Sequence, residues 1–346
     1  MIDYNDPLVQ LESIKLMKPI TSFLTDIFVE DKGALEAEDA IWDCKRGDVP
    51  MAPFVHDTTG GVPVGRNGYI TENMKFPTLA PERIVKPIDI KQRSYGEAVY
   101  GGMTPAQRAE KMIADDLMDL RAMIQKRREW MLAQLLFNGK IDIVKHTGVG
   151  AVEVAESIID FDFKNNYVAA NKWDSAGSDI AKDIDAVVDM VNEGLGSAEV
   201  IIMAPDVKAA LFTNEKYQKM LDIRNYQAGE LRTQYRQNGV IFLGYTPGGQ
   251  EMYVYSRTYE DVQGKKHSFV PSGKLVVGSR QMINMYHGPV TMVTEDGVNG
   301  TFATYIEKEV PFRFSDSNSN TVKQRLISRP MFVPKNVDGW AVAQVL

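Results

Sequence analysis

TPAQRAEKMIADDLMDLRAMIQKRREWMLAQLLF, residues 104–137, is the stretch from which the rest of the chain is read. Thr104 supplies a hydroxyl cap, Pro105 a first helical position that needs no donor, and Gln107 an amide placed to reach back. No further glycine or proline appears until Gly139, where a left-handed C-terminal residue belongs. Ala109, Ile113, Leu117, Leu120, Ile124, Met131 and Leu135 recur at steps of three, four or seven, so one apolar stripe runs the length. At about 1.5 Å per residue the spacing predicts a rod of about 50 Å. Glu110, Asp115, Asp116 and Asp119 fill its first half and Arg121, Lys126, Arg127 and Arg128 its second, as the helix dipole favours. So long a helix needs a surface to lie along.

Working outward, residues 1–40 read as an arm. Ile20, Phe23, Leu24, Ile27 and Phe28 repeat at helical spacing over a segment too short to stand alone, so it needs a partner surface in its own chain or a neighbour's. Residues 41–95 hold recurrent proline and the glycines Gly60, Gly61, Gly65 and Gly68 between extended runs at Val49–Val55, Tyr69–Phe76 and Arg83–Ile90. This pattern predicts a long β-hairpin with its tip at Asp57–Gly68, poor in core material and completed by other chains. Beyond the long helix, strands are expected at Lys140–Lys145, Ala151–Ile159 and Tyr167–Ala170. A helix capped by Ser178 is expected to run to Leu195, and a short apolar strand to span Val200–Met203. A further helix opens at Pro205. These make an α/β unit with a small sheet. Strands dominate from Val240 onward, including Phe302–Phe314, Gln324–Val333 and Trp340–Val345.

Composition is that of an ordinary globular chain, 44% hydrophobic and 25% charged over 346 residues. No run of about 18 apolar residues predicts a membrane span, and the N-terminus lacks a secretory pattern. One cysteine, Cys44, excludes an intrachain disulfide and suits a reducing cytoplasm. A net charge of −7 argues against a broad nucleic-acid grip. The four histidines, His56, His146, His267 and His287, have no zinc spacing, and each reads as a surface or structural residue. Gly148-Val149-Gly150 lacks the third glycine of a dinucleotide loop, and Asp316–Asn320 fails as a calcium loop at its sixth and twelfth positions. No motif indicates catalysis, a metal or a cofactor.

Several blocks carry a resemblance: MAPFVHDTTGG (51–61), GRNGYITENMKFPTLAPERI (65–84), IKQRSYGE (90–97), the long helix through Ile141, and the closing SRPMFVPKNVDGWAVAQVL (328–346). Together they resemble the lambda-like major capsid (head) protein family of tailed bacteriophages. That resemblance implies an α+β chain of the Hong Kong 97 capsid fold. Its parts are an N-terminal arm (1–40), an extended-loop hairpin (41–95), and a peripheral domain (96–177) with a spine helix at 104–137. An axial domain (178–290) and return strands (291–346) complete it. It also implies self-assembly into hexamers and pentamers around double-stranded DNA, bound without sequence specificity. The implied partners are a scaffolding protein and a portal, with room for a decoration protein and a maturation protease, in a virion assembled in the bacterial cytoplasm. No membrane is involved. Candidates for contacts between copies are Ile20, Phe23 and Leu24 in the arm, and Thr58, Thr59, Gly60, Gly61 and Arg66 at the hairpin tip. On the helix they are Asp115, Asp119, Lys126, Arg127 and Arg128. The competing readings are an encapsulin-like nanocompartment shell and a soluble α/β enzyme with an unrecognised site.

Overall fold

The computed structural model describes residues 22–45, 69–91, 104–146, 153–175, 177–194, 196–218, 234–236, 239–261, 264–294, 301–316 and 320–346. Helix α1, Phe23–Phe28, runs directly into strand β1, Val29–Ala34. Strands β2, Asp39–Lys45, and β3, Tyr69–Lys75, pair antiparallel from Asp39↔Lys75 to Lys45↔Tyr69. They form the base of the expected hairpin and begin two residues earlier than its expected start at 41; its tip lies outside the described residues. The strand expected over Arg83–Ile90 is shorter. It ends as β4, Glu82–Val85, because Pro87 opens a helical turn, α2, Pro87–Lys91. The Lys86 N–H donates to the Asp89 carboxylate at 2.9 Å and fixes that turn.

The long helix, α3, is Pro105–Asn138, 34 residues. Thr104 Oγ1 accepts from the Gln107 N–H, and Gln107 Oε1 accepts from the Thr104 N–H at 3.0 Å, a complete capping box. Gly139 closes the helix at φ 69°, ψ 9°, and its N–H donates to the Leu135 carbonyl at 2.9 Å. Leu117, Leu120, Ile124, Met131 and Leu135 are buried, while Ala109 and Ile113 are half-covered. Toward its end the helix is enclosed on several sides, with Arg128, Glu129, Leu132, Ala133, Leu136 and Phe137 buried as well. A helix enclosed on most of its circumference, with only the stripe through Lys126, Trp130, Gln134 and Asn138 left partly or wholly uncovered, is entering a core rather than lying on one.

A hairpin follows, β5 Lys140–His146 against β6 Glu153–Asp160, and then the short β7, Asn166–Val168. Helix α4 spans Ile180–Glu193, with Ile180, Ile184, Val187 and Val191 inward. Its cap is Asp179, whose carboxylate accepts from Lys182 N–H, and not Ser178. The Ser178 hydroxyl is turned inward instead, donating to Ser175 O at 2.8 Å and accepting from Asn214 Nδ2 at 2.8 Å. Strand β8 is Val200–Met203, wholly buried, and helix α5 is Pro205–Thr213. Strands β9 (Gln234–Arg236), β10 (Val240–Tyr245), β11 (Glu251–Tyr255), β12 (Thr258–Glu260), β13 (Lys266–Ser268) and β14 (Lys274–Gly278) come next. They are followed by β15 (Ile283–His287), β16 (Val290–Thr294) and β17 (Thr301–Tyr305). The last strands are β18 (Val310–Asp316), β19 (Thr321–Ile327), β20 (Pro330–Pro334) and β21 (Trp340–Gln344).

Two long expected strands are each broken. Phe302–Phe314 divides at Ile306–Glu309 into β17 and β18. Gln324–Val333 divides at Ser328–Arg329, where Leu79 bridges Ser328 through backbone bonds of 2.8 and 2.9 Å. The largest sheet has the order β7-β21-β14-β8-β11-β10-β9. Its strands β7 and β21 come from outside residues 178–290, so that stretch does not build its sheet alone. Two three-stranded sheets, β1-β15-β20 and β18-β19-β4, and two-stranded ribbons complete the architecture. One core joins α1, the C-terminal half of α3, α4, α5 and the sheets holding β8 and β15. A smaller cluster seats Leu117, Leu120 and Ile124 on Leu326 of β19.

Candidate intersubunit surfaces

The described arm candidates, Phe23 and Leu24, fold onto their own chain. Leu24 is fully buried, and Phe23 meets Tyr253 edge-on at 5.2 Å between ring centres. The clamp is Glu129, 1% exposed in mid-helix. Its Oε1 accepts from the Leu24 N–H at 3.0 Å and from the Tyr255 hydroxyl at 2.9 Å, and its Oε2 accepts from Thr25 Oγ1 at 3.0 Å. A buried carboxylate thus receives the free N–H groups at the start of α1. Burial and this neighbouring charge push the Tyr255 phenol far above its usual range. Leu24 is therefore a core residue. Ile20, Thr58, Thr59, Gly60, Gly61 and Arg66 lie outside the described residues.

Arg128 is also internal. Its guanidinium is 3.0 Å from Glu309 and donates to Ser328 Oγ at 2.8 Å, while Arg121 reaches the same Glu309 at 2.9 Å. Ser328 Oγ in turn donates to the Lys308 carbonyl at 2.7 Å, and the Lys308 ammonium sits 2.7 Å from Asp31. His287, fully buried on β15, lies 3.8 Å from Asp31. These groups knit the spine helix to β1, β15 and the 306–309 link. Paired and hydrogen-bonded charge of this kind is costly to break on one side. Arg128 thus serves the interior of the subunit.

The other spine candidates face outward. Asp115, Asp119, Met123 and Lys126 are exposed and Trp130 is half-buried, at steps of four, four, three and four along one helical stripe. Asp119 is 3.2 Å from Arg83 of β4. The Arg127 guanidinium lies over the Trp130 ring, 4.9 Å from its centre. Beside them opens a groove of about 1150 Å³ between α3, the β5–β6 hairpin and residues 73–81. Exposed apolar side chains are spread over the body, with Phe302 at 79% and Ile41 at 71%. Among the described residues no group of three or more His, Cys, Asp or Glu side chains could hold a metal ion. None of their helices is long and apolar enough to cross a membrane.

The sequence reading missed Glu129, Glu309 and Asp31. The one signal available was that apolar residues surround Glu129 on more than one helical face.

Solved structures show the fold. A prophage protein of Escherichia coli CFT073 assigned to the capsid superposes with a TM-score of 0.68 at 18% identity, covering 98% of each chain. A phage-related protein from Bordetella bronchiseptica RB50 superposes at 0.51 and 10% identity, over 99% of this chain and 98% of that one. The architecture is the Hong Kong 97-type capsid fold. A family model described as "Phage major capsid protein E" matches residues 8–345, and the chain belongs to that family. It is a structural protein of a phage head, located in the capsid of the virion, where such proteins self-assemble into shells.

Proposed function

We propose that copies of this chain form hexamers and pentamers that close into an icosahedral shell around double-stranded DNA, within the host cytoplasm. In this reading residues 1–40 are the arm, 41–95 the extended loop, 96–177 the peripheral domain, 178–290 the axial domain and 291–346 the return strands. The observation that carries it is the β2–β3 ribbon. It joins no other sheet among the described residues and presents Ile41 outward, while Ala40 and Met74 are buried. A two-stranded hairpin is marginally stable alone in water, so a projecting one calls for a neighbouring surface. One heterologous contact repeated around a closed shell needs only modest strength in each copy. The net charge of −7 suits a container that encloses DNA without gripping its sequence. A portal and a scaffolding protein, with a decoration protein and a maturation protease where assembly uses them, are the partners this role calls on, and it requires no catalysis.

Negative-stain electron microscopy of the expressed chain, alone and with its neighbouring genes, tests the proposal. Uniform closed shells are expected; a small soluble oligomer under every assembly condition would overturn it.

A further inference from the structure

The outward stripe of α3 is divided by charge at its middle. On the N-terminal side stand Asp115, Asp116 and Asp119, with Asp89 of α2 beside them, and Arg83 is the one cation that pairs with this group among the described ion pairs. Burial and then the charges of Asp119, Asp115 and Asp89 raise the pKa of Asp116, against the pull of Arg83. Among the described residues, four carboxylates here face one paired cation. On the C-terminal side Lys126 and Arg127 have no carboxylate partner among the described residues. Stacking over Trp130 holds the Arg127 guanidinium in place and leaves its N–H edge for another group. Between the halves Met123 is exposed, at 43%.

We propose that this stripe is a contact between two copies of the chain, with their α3 helices antiparallel, the acidic half of one on the basic half of the other. The inference rests on the shell reading above. A parallel pairing would set like charges together, and a head-to-tail one would satisfy half of the stripe in each contact. The antiparallel arrangement pairs both halves at once and opposes the two helix dipoles. Centred near Arg121, it places Asp115 against Arg127 of the second copy and Asp116 against Lys126, with both Met123 side chains at the middle. The two Met123 positions then lie about 6 Å apart along the axis.

Charge reversal in the full-length protein tests this. Asp115→Arg and Arg127→Asp should each lower the yield of shells at least about tenfold at low salt, because each sets like charges opposite one another. The double variant restores opposite charges and should recover at least about half of the parental yield. Unchanged thermal unfolding of the unassembled subunit shows that each variant folds. With Cys44→Ser and Met123→Cys, a short bismaleimide should link copies in assembled shells. Single reversals that assemble like the parent, a folded double variant no better than the worse single, or absence of the 123–123 crosslink would each overturn the contact. A parent chain that forms no shells would instead overturn the shell reading.

Discussion

His287 shows how a single buried side chain sets a pH response. Burial first, and the Arg128 charge next, lower its pKa from 6.5 to about 3, with Lys308 adding to the shift and Asp31 opposing it. The unfolded chain takes up a proton near the ordinary value that the folded chain refuses until about pH 3. Stability is therefore lost as pH falls through that window. Asp31 has a lowered pKa, so its own loss falls below the usual 3.8. His287→Phe removes the titrating ring and should flatten the fall in stability between about pH 6 and pH 4, by up to about 1.4 kcal/mol per pH unit. Urea midpoints of parent and variant across that range measure it. Parallel curves would show that another group sets the acid limit. Glu129 makes a different point at the same scale. Its sequence neighbours Lys126, Arg127 and Arg128 are all basic, yet its three partners come from residues 24, 25 and 255. No local pattern announces partners that distant.

At the scale of elements, legibility followed how local the deciding interaction was. The bounds of the spine were readable because Thr104, Pro105, Gln107 and Gly139 act within one turn of the helix ends. Val200–Met203 was readable because a strand buried on both faces is continuously apolar. The breaks at 306–309 and 328–329 were not, since Glu309 and Ser328 leave their ladders for Arg128, a residue of another element. Ser178 was misassigned as a cap for the same reason: its hydroxyl answers to Trp173, Ser175 and Asn214. Among the contact candidates, Leu24 and Arg128 had side-chain types that fit a surface and an interior equally, and only packing separates those. Gly139 carries the test at this scale. A Cβ there would come 2.2 Å from Phe163 Cβ, and Phe163 stacks on Trp340 at 4.8 Å. Gly139→Ala should lose about 1–2 kcal/mol from the left-handed backbone alone. It should also loosen that stack, visible as a lower melting temperature together with altered tryptophan fluorescence. An unchanged melting temperature would mean that the helix end relaxes freely.

For the whole molecule, the division is between a body that closes on itself and a ribbon that does not. The strands β2 and β3 pair over Asp39–Lys45 and Tyr69–Lys75, outside the segment Thr58–Asn67, and Ala40 and Met74 anchor them to the core. Deleting Thr58–Asn67 should therefore leave a soluble, folded subunit with parental melting behaviour that forms no shells. Size-exclusion chromatography with electron microscopy reads both halves of that outcome, and normal shells from the deletion would remove the ribbon from assembly.

The position of β21 bears on how the subunit is made. It lies between β7 and β14, paired parallel to one and antiparallel to the other, and Trp340 at its start is wholly buried with its indole N–H on the Leu136 carbonyl. During synthesis β7 and β14 both leave the ribosome before Trp340–Gln344, so the central sheet has a gap until that late strand arrives. A chain ending before Trp340 would leave β7 without its partner strand and β14 as an edge, and would lack both the anchor at the end of the spine and the stack on Phe163. Completion of the central sheet therefore waits on the last strand, so the subunit reaches its assembled form only after Trp340–Gln344 has been made.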